Sequence, residues 1–178
     1  MKNALIITWE GYQDQEVIYP YYRLLEEEFT VDVYAEKLGT FYGIMGTKME
    51  ATNKVESITK DTVLKYDFLV LPGGVKALEK LRQQKNVLEF ISEYVRSNKI
   101  VASTCHGAQL LISAKVTKGR KISGYYSIAD DIKNSGAIYV DAPVVVDGCI
   151  ISSPHYKHMG IWMKTALNNY LVVKDDKL

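Results

Sequence analysis

A chain of 178 residues, 47% hydrophobic and 24% charged, has the composition of a globular protein with a substantial core, which excludes intrinsic disorder. Acidic and basic residues are interspersed at a formal net charge of +1, so neither a nucleic-acid-binding stripe nor a membrane-attracting surface is expected. No apolar run approaches the ~20 residues of a membrane helix. The length suits one domain over 1–178. Its two cysteines, Cys105 and Cys149, make no disulfide framework, and the apolar stretch at the start is too short for a signal peptide. Free thiols in a reducing cytoplasm follow.

Taken in order, Ala4 to Thr8 reads as a buried parallel strand. Asp14 is expected as the N-cap of a helix whose apolar face is Val17, Ile18, Tyr21, Leu24, Leu25 and Phe29. That helix ends in Glu26-Glu27-Glu28, which opposes the helix dipole, so a solvated, frayed end is expected. Thr30 to Ala35 is a second strand, and the glycine-punctuated stretch from Leu38 to Ile58 predicts one or two hairpins off the main sheet. A short connection follows at Asp61 to Lys65.

Phe68 to Leu71 is a buried strand stopped by Pro72, and Gly73-Gly74 lets backbone approach a ligand closely. Ala77 to Arg96 is one long helix, or two with a break near Lys85-Asn86. Ile100 to Ser103 is a strand and Gly107 to Ala114 a helix. Ser127 to Asn134 is helical with Gly136 at its end. Asp147-Gly148 between β-branched runs predicts a hairpin over Val144 to Ile151, and Met159 to Val173 closes the chain as a helix. Strand–helix alternation of this kind makes an α/β fold with a mostly parallel sheet covered on both faces, and a crevice at the carboxyl ends of its strands.

Three of those ends carry the chemistry: Thr8-Trp9-Glu10, Pro72-Gly73-Gly74 and Thr104-Cys105-His106. A strand turning sharply into a helix at Cys105 is a nucleophile-elbow pattern. The sulfur would sit beside unpaired helix N–H groups, which favour a thiolate. The alternative is a small buried filler, a common fate of free cysteine. Glu16, one turn into the first helix, either tunes the sulfur as a protonated carboxyl or is a solvated first-turn charge. Side chains adjacent at an elbow are expected to diverge, so His106 is not an obvious direct base; its backbone N–H and that of Gly74 make a candidate oxyanion pair. His155 and His158 have H-x-x-H spacing, but two ligands alone make a poor metal site, so no metal is expected and loop histidines or a pH-sensitive lid are the readings. Cys149 is read as structural.

The segments Asp14 to Leu25, Tyr66 to Gly74, Val101 to Leu111 and Val144 to Gly148 resemble the ThiJ/PfpI family, as do Gly119 to Ile122 and Asp130 to Gly136, in order over nearly the whole chain. The resemblance implies a flavodoxin-like three-layer sandwich. It implies Cys105 as nucleophile, His106 as its neighbour and Glu16 as the group that tunes the thiol. In the peptidase-like branch a further Glu reaches the Cys-His pair of a neighbouring subunit; Glu79 matches it only with one extra residue allowed. Val75 stands where that branch has Arg, Ala108 where it has Pro, and Ser153-Pro154 and His158 where it has Ser-Arg and Asp. Gly73, Pro154, His155 and His158 are therefore expected at the substrate crevice.

What this implies is a cysteine-dependent hydrolase or lyase without cofactor, acting on a peptide, a 2-oxoaldehyde or an aldehyde-derived adduct on protein, and assembling as a homodimer or larger homo-oligomer. The competing function is a redox-sensing or chaperone-like stress protein using the same thiol without turnover. A flavodoxin-like mononucleotide binder is disfavoured, because no phosphate-cradling glycine loop is present.

Overall fold

A computed structural model describes residues 2–175, with side chains through Val173. The strands are β1 (Lys2–Ile7), β2 (Phe29–Ala35), β3 (Gly39–Tyr42), β4 (Lys48–Ala51), β5 (Asn53–Lys54), β6 (Phe68–Leu71), β7 (Ile100–Thr104), β8 (Lys121–Ile122), β9 (Ile138–Tyr139), β10 (Val145–Asp147) and β11 (Ile150–Ser153). The helices are α1 (Asp14–Glu26), α2 (Val75–Leu81), α3 (Lys85–Arg96), α4 (Ala108–Ser113), α5 (Ala129–Asn134) and α6 (Met159–Asp175). Seven strands form the central sheet in the order β10-β11-β7-β6-β1-β2-β5, parallel except for the β10–β11 hairpin.

The layers follow from the side chains. β6 and β7 are buried along their whole length, as strands covered on both faces must be. α1 and α6 pack together on one face, and α2 to α5 adjoin one another on the other. In α3 the buried residues Val87, Phe90, Ile91 and Tyr94 recur at i, i+3, i+4 and i+7, which turns one stripe of that helix onto the sheet. In α6 the indole N–H of Trp162 donates to the Ile151 carbonyl at 3.2 Å, so even the largest buried side chain has its polar atom paired. This is the expected flavodoxin-like α/β sandwich.

Several local expectations change. Asp14 is not the N-cap; Gln13 is, without a side-chain cap bond. The Asp14 carboxylate instead accepts from the backbone N–H groups of Met45 and Thr47, each at 2.8 Å, and ties the β3–β4 hairpin to α1. Phe29 belongs to β2, because Glu28 turns into the left-handed region at φ 62° and ends the helix before it. The acidic end of α1 is also better held than its charge suggests: Arg23 bridges Glu26 at 3.3 Å and Glu27 at 2.6 Å, and Lys2 donates to the Glu27 carbonyl. The Ala77–Arg96 stretch takes its two-helix form, broken at Arg82 to Gln84. The short β8–β9 pair was not foreseen, since two-residue strands carry no periodicity.

Candidate active site

Register across the sheet places the site. Leu71 in β6 pairs with Ser103 in β7, so the Pro72-Gly73-Gly74 and Thr104-Cys105-His106 turns leave the sheet side by side. Cys105 has φ 55°, the left-handed region that costs an L residue ~1–2 kcal/mol. That dihedral is the elbow: it breaks β7 at Thr104 and starts the turn into α4. Gly107 makes the return possible by packing. A Cβ there would lie 2.1 Å from the Leu71 carbonyl oxygen, so only glycine lets α4 pass this close to β6.

Glu16 is fully buried on α1, and its Oε2 accepts from the Gly73 N–H at 2.6 Å. Its Oε1 has no hydrogen-bond partner. Burial pushes the carboxyl up to about 7, against the Gly73 N–H and the Cys105 thiol, which hold it down. A Cβ built on Gly73 would meet Glu16 Oε2 at 2.5 Å and Cys105 Sγ at 3.1 Å, so carboxyl and sulfur flank the same point. The Cys105 thiol is itself pushed well up, first by burial and then by the charge on Glu16. The backbone N–H groups of His106 and Gly74 work in the opposite direction, as donors to the sulfur. Helix-terminus donors therefore favour the thiolate as expected, but burial and a charged Glu16 oppose it. A proton on Glu16 removes the second opponent.

The His106 ring does not diverge from the sulfur. Its Nδ1 lies 3.3 Å from Cys105 Sγ, a correction made possible by the left-handed turn at Cys105. Its Nε2 lies 3.4 Å from Ser127 Oγ, and its ring stacks on Tyr125 with centroids 4.8 Å apart. Burial lowers its pKa, which favours the neutral imidazole. With the proton on Nε2, donated to Ser127, Nδ1 faces the sulfur as an acceptor.

A crevice of about 340 Å³ opens over this group, with Cys105, His106 and Gly74 at its base. Gln13, Ile44, Val75, Tyr125, His155 and Tyr156 line the rest of it. Of the residues expected at the crevice, His155 lines it, while Gly73 lies behind Gly74 against Glu16. Pro154 is buried and His158 half-buried, and neither reaches the crevice. The turn at Tyr156 to His158 presents Tyr156 there instead of His158, with His155 Nδ1 accepting from the Lys157 N–H at its start. Among the described residues no three His, Cys, Asp or Glu side chains come together as a metal-binding group. Glu79 is exposed on α2 and does not line the crevice of its own chain. Cys149 is buried in the core, its thiol 3.7 Å from the Val95 carbonyl.

Sequence reasoning missed Gln13, Ile44, Tyr125, Ser127 and Tyr156. The usable signal was the pairing of aromatic residues at Tyr125-Tyr126 and His155-Tyr156 in a chain with 13 tyrosines.

Among the described residues no helix is long and apolar enough to cross a membrane. The family model described as DJ-1/PfpI matches residues 2–169. Deglycase TK1284 of Thermococcus kodakarensis is 39% identical over 162 residues, covering 91% of this chain and 95% of that protein. Protein/nucleic acid deglycase 2 of Escherichia coli is 37% identical over 150 residues, covering 82% of this chain and 83% of that one. A two-domain protein with DJ-1/ThiJ/PfpI-like and ferritin-like domains from Anabaena variabilis superposes with a TM-score of 0.89 at 29% identity. That match takes in 95% of this chain and 48% of the larger one. With the model matched from β1 into α6, and relatives of this identity covering most of both chains, the chain belongs to the DJ-1/PfpI family.

Proposed function

We propose that the protein is a cysteine-dependent enzyme acting on 2-oxoaldehydes and their early adducts on amines, with Cys105 as nucleophile. The observation that carries this reading is one geometry: a strained Cys105 with the His106 imidazole at 3.3 Å, a buried Glu16 beside it, and two backbone N–H groups directed at the sulfur. The names of the relatives, which are deglycases, support the substrate class.

The sulfur would add to the aldehyde carbon, forming a C–S bond while the carbonyl π electrons move to oxygen. Glu16 holds the proton that the sulfur has given up and passes it to that oxygen, and the Gly74 and His106 N–H groups hold the developing charge. The Glu16 carboxylate then takes the proton from the former aldehyde carbon and delivers it to the adjacent carbonyl carbon, while His106 Nδ1 carries the hydroxyl proton of the former aldehyde carbon to the neighbouring oxygen. This leaves a 2-hydroxyacyl thioester on Cys105, with the aldehyde carbon oxidised and the ketone carbon reduced. Water cleaves the thioester, so one water is consumed per 2-hydroxy acid formed and no outside oxidant is needed. When the aldehyde starts as a hemiaminal, the C–N bond breaks as the C–S bond forms, and the amine leaves with the thiol proton. The thiol's burial weighs against the redox-sensing alternative, since oxidation follows thiolate character and exposure.

Self-association in a reducing, cytoplasmic setting belongs to the same proposal. It is supported by an apolar groove of about 470 Å³ between α1 and the β3–β4 hairpin, lined in part by Ile18, Tyr19, Tyr22 and Met45. A role for Glu79 at a partner's Cys105 stands or falls with that assembly.

The test supplies methylglyoxal to the wild type and to Cys105→Ala, follows loss of the aldehyde, and identifies lactate. Lactate from the wild type with at least a hundredfold loss in the variant is expected. Equal rates, or no lactate from the wild type, would overturn the proposal.

A further inference from the structure

The crevice over Cys105 is unusual in what it lacks. None of its lining residues is Lys, Arg, Asp or Glu. Its two imidazoles, His106 and His155, are both shifted toward the neutral form, in each case chiefly by burial. The nearby cations lie outside the lining, although the charge of Lys157 is felt at His155. Lys157 lies 5.7 Å over the Tyr126 ring, and Lys76 packs its stem across Gly11.

What the crevice offers instead is aromatic and aliphatic surface. His106, Tyr125 and His155 form a run of near-parallel rings, with centroids 4.8 and 5.9 Å apart and interplanar angles of 29° and 26°. Tyr156 extends it, its ring 4.0 Å from His155. Ile44 and Val75, also in the lining, are each 61% exposed, so the rim holds apolar surface that no other described part of the chain covers.

We propose that this crevice selects uncharged carbonyl compounds bearing a planar or apolar substituent, and rejects those bearing a carboxylate. The specificity determinants are Tyr125, His155 and Tyr156 as the stacking wall and Ile44 and Val75 as the apolar rim. The inference rests on the reading of Cys105 as the group that meets the carbonyl. A flat ring gains offset-stacked contact with the wall and loses little in leaving water. A carboxylate entering the same space gives up hydration and meets no Lys or Arg in the lining to replace it.

Reagents that alkylate the thiol test this without turnover. In a Cys149→Ser background, rates at Cys105 are compared for phenacyl chloride against chloroacetone, and for iodoacetamide against iodoacetate. In each case the sulfur displaces the halide, and each ratio is normalised to the same ratio for glutathione. Both normalised ratios should exceed unity, the aromatic one by about tenfold, or about 1.4 kcal/mol. Tyr156→Ser and His155→Ser should each bring the aromatic ratio down at least threefold. Tyr156 and His155 are partly exposed, and a melting curve checks that each variant is folded. Normalised ratios within twofold of unity would overturn the proposal, as would an aromatic preference unchanged in both variants. Failure of methylglyoxal turnover would sink the proposed activity and leave these ratios unaffected, so the two can fail separately.

Discussion

Glu16 Oε2 accepts the Gly73 N–H at 2.6 Å while Oε1 of the same buried carboxyl has no partner. One oxygen is anchored by the glycine turn, and the other is left as the natural seat of a proton. Because burial raises this carboxyl from 4.5 to about 7, the folded protein binds the proton more tightly than the unfolded chain does. The stability this contributes is complete below the unfolded value and is lost as pH rises through about 7. Urea unfolding of wild type and Glu16→Gln between pH 4 and 8 checks it. The wild type should lose on the order of 3 kcal/mol relative to the variant across that window. A pH-independent difference would contradict the assignment.

Two glycines should respond oppositely to alanine. A Cβ at Gly107 meets the Leu71 carbonyl oxygen at 2.1 Å, and backbone cannot yield as a side-chain tip would. Gly107→Ala should therefore destabilise by at least ~2 kcal/mol. Gly160, in α6, has nothing within 4 Å of that position. There alanine should stabilise by ~0.5–1 kcal/mol through helix propensity. Thermal melts of the two variants read both effects.

These cases show what the sequence made legible. Pro72-Gly73-Gly74 and Cys105-His106-Gly107 are local patterns whose geometry follows from residue type, and β7 into α4 could be read directly. The His106–Ser127 contact could not, because it spans 21 residues and depends on where the turn before α5 lands. Asp14 looked like an N-cap because acidic residues favour that position. Only tertiary packing shows that the hairpin N–H groups claim its carboxylate. His158 was read with His155 from their spacing and from the family position it occupies, and the turn between them presents Tyr156 to the crevice instead.

Asp14 gives its own test. Burial would raise this carboxyl, but hydrogen bonds from Thr47 and Met45 outweigh it and leave the pKa below its ordinary value. Its contribution to stability is thus present above the unfolded value of 3.8 and is lost as pH falls through the lower folded value. Asp14→Ala should cost ~2–3 kcal/mol at neutral pH, since two charge-assisted bonds are lost. Hydrogen exchange should show faster opening at Met45 and Thr47 than in the core of β6.

Ser127 should act through His106 rather than on substrate. Ser127→Ala should lower kcat about fivefold, the scale of one neutral hydrogen bond at ~1 kcal/mol, with KM little changed. Ser127→Thr should restore most of it. Nitrogen chemical shifts of His106 report whether the proton leaves Nε2. An unchanged kcat and unchanged shifts in Ser127→Ala would mean that the 3.4 Å contact orients nothing.

The central claim is that Glu16 and Cys105 hold one proton between them, so that the sulfur is reactive when the carboxyl carries it. Alkylation of Cys105 by iodoacetamide against pH, in Cys149→Ser and in Cys149→Ser with Glu16→Gln, addresses it most directly. The account predicts a rise in rate with a midpoint near 7 when Glu16 is present, where the pair gives up its first proton. In the Gln variant no proton is shared, and burial works against the Gly74 and His106 N–H groups, so the midpoint should move up toward that of a free thiol, ~8.5. Superimposable profiles for the two proteins would contradict the account.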